Sequence, residues 1–267
     1  MSNRLWELGA QGVWESSGYL SAYITEMEPG ISDALNEYLA SLQELFPRCH
    51  LGWEKLAVPK IDWVENWKRY YYPQPLSQRL YLLPIWERET AIPRGMQAIL
   101  MQPGQAFGTG LHPSTQLCVK HLERLISMDH PVSVLDVGTG SGILSIAAKL
   151  LGARRVSAID TDEMAIQIAS QNADRNKCAI ELFHGSLEKV LGEYDIIVAN
   201  ILLGVHKHLG SHYRRLLFPT GILILSGLLA SEGDELQSWI AGLGMQVISS
   251  LQDQGWLAIS VSHKIAS

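Results

Sequence analysis

Residues 134–142 read V-L-D-V-G-T-G-S-G, and an apolar helical pattern over 143–151 follows at once and stops at Gly152. An apolar run that ends in closely spaced glycines before a helical period is a strand–turn–helix junction. Glycine lets a ligand approach the backbone, and the helix start offers N–H groups to it. Such a junction needs a sheet whose parallel strands are joined by crossover helices.

From about Met96 onward the chain supplies that sheet. Residues 132–137 and 155–160 read as strands, Asp162 as the cap of a helix through Ala173, and 180–184, 194–199 and 222–225 as further strands. The last two are apolar nearly throughout, as in strands covered on both faces. Residues 245–250 and 256–262 also read as strands, joined by a connection too short for a parallel crossover, so they predict an antiparallel hairpin. The expected fold class is α/β: a doubly wound, mostly parallel seven-stranded sheet closed by a C-terminal antiparallel hairpin.

Two cofactor classes fit a glycine turn. A dinucleotide fingerprint counted from Gly138 requires a third glycine at position 143, where Ile143 stands. The spacing is instead G-x-G-x-G after Asp136, the pattern of enzymes that bind S-adenosyl-L-methionine, a ligand without a pyrophosphate. Asp160 ends the next strand, where its carboxylate can accept hydrogen bonds from both ribose hydroxyls. Gly138, Gly140 and Asp160 are the cofactor contacts this reading predicts.

Asn200 ends the fourth strand, in D-I-I-V-A-N-I-L, at the edge where doubly wound sheets gather ligands. Methyl transfer from a sulfonium is an in-line displacement, so the enzyme supplies alignment and a desolvated path. An amine acceptor must also be neutral, because an ammonium has no lone pair. Asn200 Oδ1 can accept an amine hydrogen without a charge that would hold the extra proton; the alternative role is a cap at a strand-to-loop turn. Nucleobase methyltransferases often follow this position with two prolines and a stacking aromatic, whereas Ile201, Leu202 and Leu203 follow here.

Elsewhere the sequence sets limits. A net charge of −6 lacks the basic surplus of a nucleic-acid binder, and the apolar stretches fall well short of the roughly 20 residues of a membrane span. The first residues lack the blocks of a signal peptide, which predicts a cytoplasmic protein. Cys49, Cys118 and Cys178 have no zinc spacing and read as buried free thiols, so no metal is expected. Residues 31–45 carry apolar positions at helical spacing after Gly30. Between 61 and 86, seven tryptophans and tyrosines interleave with Pro73, Pro75 and Pro84, as in a connector packed on both neighbours or a core segment of one domain. A second glycine cluster, Phe107 to Thr115, precedes a helix that Ser114 or Thr115 can cap; it is a turn plus a cap, or a lid over the cofactor.

The run P-G-Q-A-F-G-T-G-L-H-P-S-T over 103–115, with LDVGTGSG and VANIL downstream, resembles the PrmA family of bacterial methyltransferases. Those enzymes modify large-subunit ribosomal protein eleven on lysine side chains and its N-terminal amine. Trp63, Trp67, Pro73, Arg79, Pro84 and Trp86 match as well, so the resemblance covers essentially the whole chain. It implies that Thr115, Gly138, Asp160 and Asn200 contact S-adenosyl-L-methionine. Phe107, a further cofactor contact, then lines the methyl path with Thr109 and His112, the two catalytic companions of Asn200. It further implies a small ferredoxin-like recognition domain over 1–58, an aromatic linker over 59–90, and a methyltransferase domain over 91–267 that swings relative to the first. The family usually has Asp where Gln102 stands, glycine at Ser77 and Thr220, and cysteine at Thr139. Residues 5–14 resemble the end of the family's first helix and the next strand, so the expectation is a recognition sheet lacking its first strand and part of that helix. Two other readings stay open: the same chemistry on another protein or a small amine, and a non-catalytic module that kept the cofactor pocket.

Overall fold

The computed structural model describes residues 5, 8–10, 12–16, 19–24, 30–47, 49–56, 71–102, 108–126 and 130–264. Trp63, Trp67 and Phe107 lie outside them. The chain divides into two compact units, Met1–Ile61 and Asp62–Ser267.

In the smaller unit, β1 (Gly12–Ser16) and β2 (Tyr19–Tyr23) pair antiparallel, with Gly12 opposite Tyr23. Helix α1 (Ile31–Leu45) forms over the residues its apolar spacing predicts and starts after Gly30. The Trp53 indole N–H donates to Asn36 Oδ1 at 2.9 Å, and Gln43 accepts from Leu51 N and donates to the carbonyls of Phe46 and Cys49. Cys49 is exposed, which corrects the expectation of three buried thiols; Cys118 and Cys178 are buried and free. The segment after α1 holds its shape through these polar ties on the surface, so its cysteine is left facing water.

The larger unit begins with a three-stranded sheet: β3 (Gln74–Pro75), β4 (Leu80–Pro84) and β5 (Gln97–Met101), with β4 and β5 parallel. Helix α2 (Pro113–Leu125) follows, and its Glu123 carboxylate accepts from Ser77 Oγ, Gln78 N and Arg79 N, which pins the turn between β3 and β4. Buried Tyr71, Leu76, Leu80 and Leu82 join Val119, Leu122 and Ile146 in one core cluster, so this part of the aromatic stretch packs into the larger unit.

The main sheet is built from β6 (Ser133–Val137), β7 (Arg155–Asp160), β8 (Glu181–His184), β9 (Tyr194–Asn200), β10 (Leu217–Leu229), β11 (Met245–Asp253) and β12 (Trp256–His263). Its spatial order is β11-β12-β10-β9-β6-β7-β8, and β12 runs antiparallel to both its neighbours. Helices α3 (Ile143–Leu151), α4 (Glu163–Arg175), α5 (Leu203–Leu216) and α6 (Gly233–Gly242) complete the alternation.

Side chains alternate across a pleated strand, and both faces here are apolar. Val134, Ile196, Val198 and Ile224 enter the cluster with α2 and α3, while Leu135, Ile197, Ala199, Leu223 and Leu225 enter a second cluster with Tyr213, Leu216, Leu236 and Ile240. That is the physical reason these strands read as continuous apolar runs. Helix α3 ends at Gly152, which takes the left-handed conformation (φ 116°) the stop signal requires. The final hairpin turns through Gln254 and Gly255, both at positive φ as in a two-residue primed turn, so its strands run longer than the sequence pattern alone suggests. Among the described residues no helix is long and apolar enough to cross a membrane, and no group of side chains could hold a metal ion.

Candidate active site

The carboxyl ends of β6 and β9 lie side by side, with Val137 opposite Ala199. Gly138 follows β6 at φ 71°, and a Cβ there would fall 2.7 Å from the Ile201 side chain, so only glycine fits between the two strand ends. The N–H groups of Gly138 and Thr139 donate to Ile159 O, and Gly140 N donates to Asp160 Oδ2 at 2.9 Å. Asp160 Oδ1 accepts from Asp162 N at 3.0 Å. The Asp160 carboxylate thus ties the glycine turn to the end of β7, and each oxygen of this half-buried residue keeps a lone pair beyond the bond it accepts.

Asp136 lies beneath the turn, fully buried in β6. Its Oδ2 accepts from Thr139 Oγ1 at 2.7 Å, Ser145 Oγ at 2.6 Å and Ser145 N at 3.1 Å, which fixes the turn against the start of α3. Burial pushes its carboxyl up to about 6, against the pull of these hydrogen bonds. The sequence reading used Asp136 only as part of the glycine pattern; a charged residue inside an apolar strand was the signal for its structural role.

Asn200 Nδ2 donates to Thr115 Oγ1 at 3.2 Å across 85 positions of sequence, which joins two residues predicted from separate motifs. Its Oδ1 is buried and has no hydrogen-bond partner among the described residues. An unpaired buried acceptor costs about 1–3 kcal/mol, so a donor supplied by a ligand would be strongly favoured there.

Thr115 is fully buried in the first turn of α2. The cap of that helix is His112, whose Nδ1 accepts from Ser114 N, and not Ser114 or Thr115 as expected. Pro113 occupies the first helical position, where its missing N–H is harmless, so the cap falls one residue earlier and both hydroxyl residues turn inward. The His112 ring meets Trp256 of β12 edge-on at 4.5 Å between centroids, and burial holds its pKa below the usual histidine value. Trp256 carries no motif and was not predicted. Thr109 is held through its carbonyl, which accepts from Tyr71 Oη at 2.6 Å, and Ser141 Oγ donates to Gly108 O.

Three of the four departures from the family pattern have partners. Thr139 bonds Asp136, Ser77 bonds Glu123, and Gln102 Oε1 accepts from Arg175 at 2.7 Å. Thr220 is exposed, and nothing in the structure explains it.

Residues 3–264 match the family described as ribosomal protein L11 methyltransferase (PrmA). Relatives named ribosomal protein L11 methyltransferase include one from Staphylococcus epidermidis, 34% identical over 98% of this chain and 84% of its own length. Another, from Staphylococcus aureus, is 35% identical over 92% and 80%. A crystal structure of ribosomal protein L11 methylase from Lactobacillus delbrueckii subsp. bulgaricus superposes with a TM-score of 0.69 at 34% identity, covering 73% of this chain and all of that one. A methyltransferase from Pyrococcus furiosus, at 19% identity and a TM-score of 0.50 over 60% of this chain and 86% of its own, shares the fold. With both strand ends, the glycine turn and the Asn200–Thr115 pair in place, the chain belongs to the ribosomal protein L11 methyltransferase family, PrmA.

Proposed function

We propose that this protein transfers methyl groups from S-adenosyl-L-methionine to ribosomal protein L11 in the cytoplasm, on lysine side chains and the N-terminal amine. The observation that carries the reading is the buried, unpartnered Asn200 Oδ1 at the strand end, beside a glycine turn at positive φ.

The cofactor supplies an electrophilic methyl group on a sulfonium. Gly138 and Gly140 keep the floor of the site free of side chains, and Asp160 accepts the ribose hydroxyls with the lone pairs its backbone bonds leave over. Thr115 fixes the rotation of the Asn200 amide, so Oδ1 presents its lone pairs to the acceptor nitrogen. A neutral amide oxygen orients the amine without the charge with which a carboxylate would hold the extra proton, which an amine of ordinary pKa near ~10.4 must lose before attack. Thr109 and His112, with Phe107, line the methyl path by the family resemblance, and burial lowers the pKa of His112, which disfavours a positive charge on its ring.

The N-terminal residues 1–58 serve as a ferredoxin-like recognition domain, 59–90 as a linker whose part from Tyr71 on packs into the core of the larger unit, and 91–267 as the catalytic domain. The strand–strand–helix order of the smaller unit and relatives that span it support this division. Intact-mass analysis of unmodified ribosomal protein L11 after incubation with enzyme and cofactor tests the function. Increments of whole methyl units are expected; none, with cofactor binding shown separately, overturns the acceptor.

A further inference from the structure

A buried polar chain runs behind Asn200 that the chemistry above does not use. His206 of α5 is completely buried. Its Nε2 lies 2.9 Å from Ser226 O and its Nδ1 3.2 Å from Tyr213 Oη. A carbonyl only accepts, so Nε2 carries the proton and Nδ1 accepts from the tyrosine hydroxyl. Burial lowers His206 to about 4 and raises Tyr213, so this arrangement holds across the neutral range.

The carbonyl that His206 grips belongs to the strand residue directly opposite Asn200 in the β9–β10 register. Ser226 O also accepts from Ile201 N at 3.1 Å, the residue after Asn200. Ser226 Oγ donates to Ser114 O at 3.1 Å, the residue before Thr115. Gly227, at φ 79°, brings β10 so close that a Cβ there would lie 2.5 Å from Ile201 O. Ser226 is therefore bonded both to the residue after Asn200 and to the residue before Thr115, and the His206 side chain holds its carbonyl.

We propose that His206 is a positioning residue for methyl transfer: its neutral imidazole, oriented by Tyr213, clamps the junction of Ser226 and Ile201 and so fixes the aim of the Asn200 amide. This rests on the role given to Asn200 above. The assignment predicts a specific coupling, because a residue that acts only by aiming Asn200 loses its effect once the amide is gone.

The test compares His206→Leu, His206→Gln and Tyr213→Phe in the wild-type and Asn200→Ala backgrounds. It follows kcat and KM on ribosomal protein L11 with radiolabelled methyl donor, cofactor affinity by calorimetry, and melting. His206→Leu is expected to lower kcat about 20-fold with cofactor affinity within about twofold, and to change the residual turnover of Asn200→Ala by less than about twofold. His206→Gln, whose amide N–H can still reach Ser226 O, recovers most of the loss. Equal losses in both backgrounds, or cofactor affinity falling in step with kcat, overturn the proposal. If His206→Leu does not fold, Tyr213→Phe decides: about a threefold loss confined to the wild-type background supports the clamp, and no loss or equal losses overturn it. Failure of the underlying reading shows separately, as Asn200→Ala alone leaving kcat intact.

Discussion

Helix α3 buries seven of its nine residues, whereas α1, with fifteen residues, buries only Leu35. The polar ties differ in the same way. In the larger unit buried Asp136, His206 and Ser226 and half-buried Asn200 make hydrogen bonds to buried partners; in the smaller unit Trp53, Asn36 and Gln43 make theirs at the surface. Methyl transfer needs donors and acceptors held to fractions of an ångström, and only a packed, dry interior holds them so. Reading another protein needs exposed apolar and polar groups in reach. The difference between the two units matches the division of labour proposed for them.

The sharpest way to break this comparison is at Gly227. Alanine there meets three backbone atoms of Ile201 within 2.8 Å in a left-handed conformation, and moving that backbone moves Asn200. Gly227→Ala is expected to cost about 3–5 kcal/mol, read as a lower melting temperature together with lost turnover. A stable, active variant would show that the strand ends are not a rigid support for Asn200.

Asp136 sharpens it from the electrostatic side. Its folded pKa of about 6 lies above the unfolded 3.8, so the folded state takes up the proton more readily. The stability this contributes is fully present below the unfolded value and is lost as pH rises through about 6. At one pKa unit per 1.36 kcal/mol the swing is about 3 kcal/mol. Asp136→Asn has no such swing, so relative to the wild type it loses most of that amount between pH 7 and pH 4, measured by urea unfolding. A difference independent of pH would place the ionised carboxylate elsewhere than in a dry site.

How much of this was legible in the sequence follows the same division. The strand, glycine turn and helix over 133–151 were readable because every signal is local: apolar period, glycines at positive φ, and a glycine stop. Asp160 was readable from its place at a strand end. The Asn200–Thr115 bond was not, because it depends on how α2 crosses β9, a tertiary fact with no local trace. His206 is one histidine among polar neighbours in α5, and only the register of β10 gives it a role. The His112 cap was legible in principle from Pro113, but the more usual hydroxyl caps beside it drew the assignment.

Removing Asn200 tests chemistry apart from stability. Asn200→Ala deletes the unpaired Oδ1 and removes the amide that donates to Thr115 Oγ1. Turnover should fall about 100-fold while cofactor affinity and melting change little, because the interaction is made with the acceptor as it reacts. Parallel loss of cofactor affinity would make Asn200 a cofactor ligand first and an acceptor guide second.

The smallest expected effect belongs to the smaller unit. Trp53→Phe keeps most of the ring but loses the N–H that bonds Asn36, and the exposed amide can turn to water instead. The cost is about 0.5–1 kcal/mol, confined to the melting of that unit. Cofactor affinity should not move, because the proposed cofactor site lies in the larger unit, whereas KM for ribosomal protein L11 should rise about two- to threefold, since the half-exposed indole lies on the unit proposed for recognition. A changed cofactor affinity would mean that the two units share energetics the separate cores do not suggest. An unchanged KM would move recognition to another face, with Leu45 and Phe46 at the exposed end of α1 the next residues to replace.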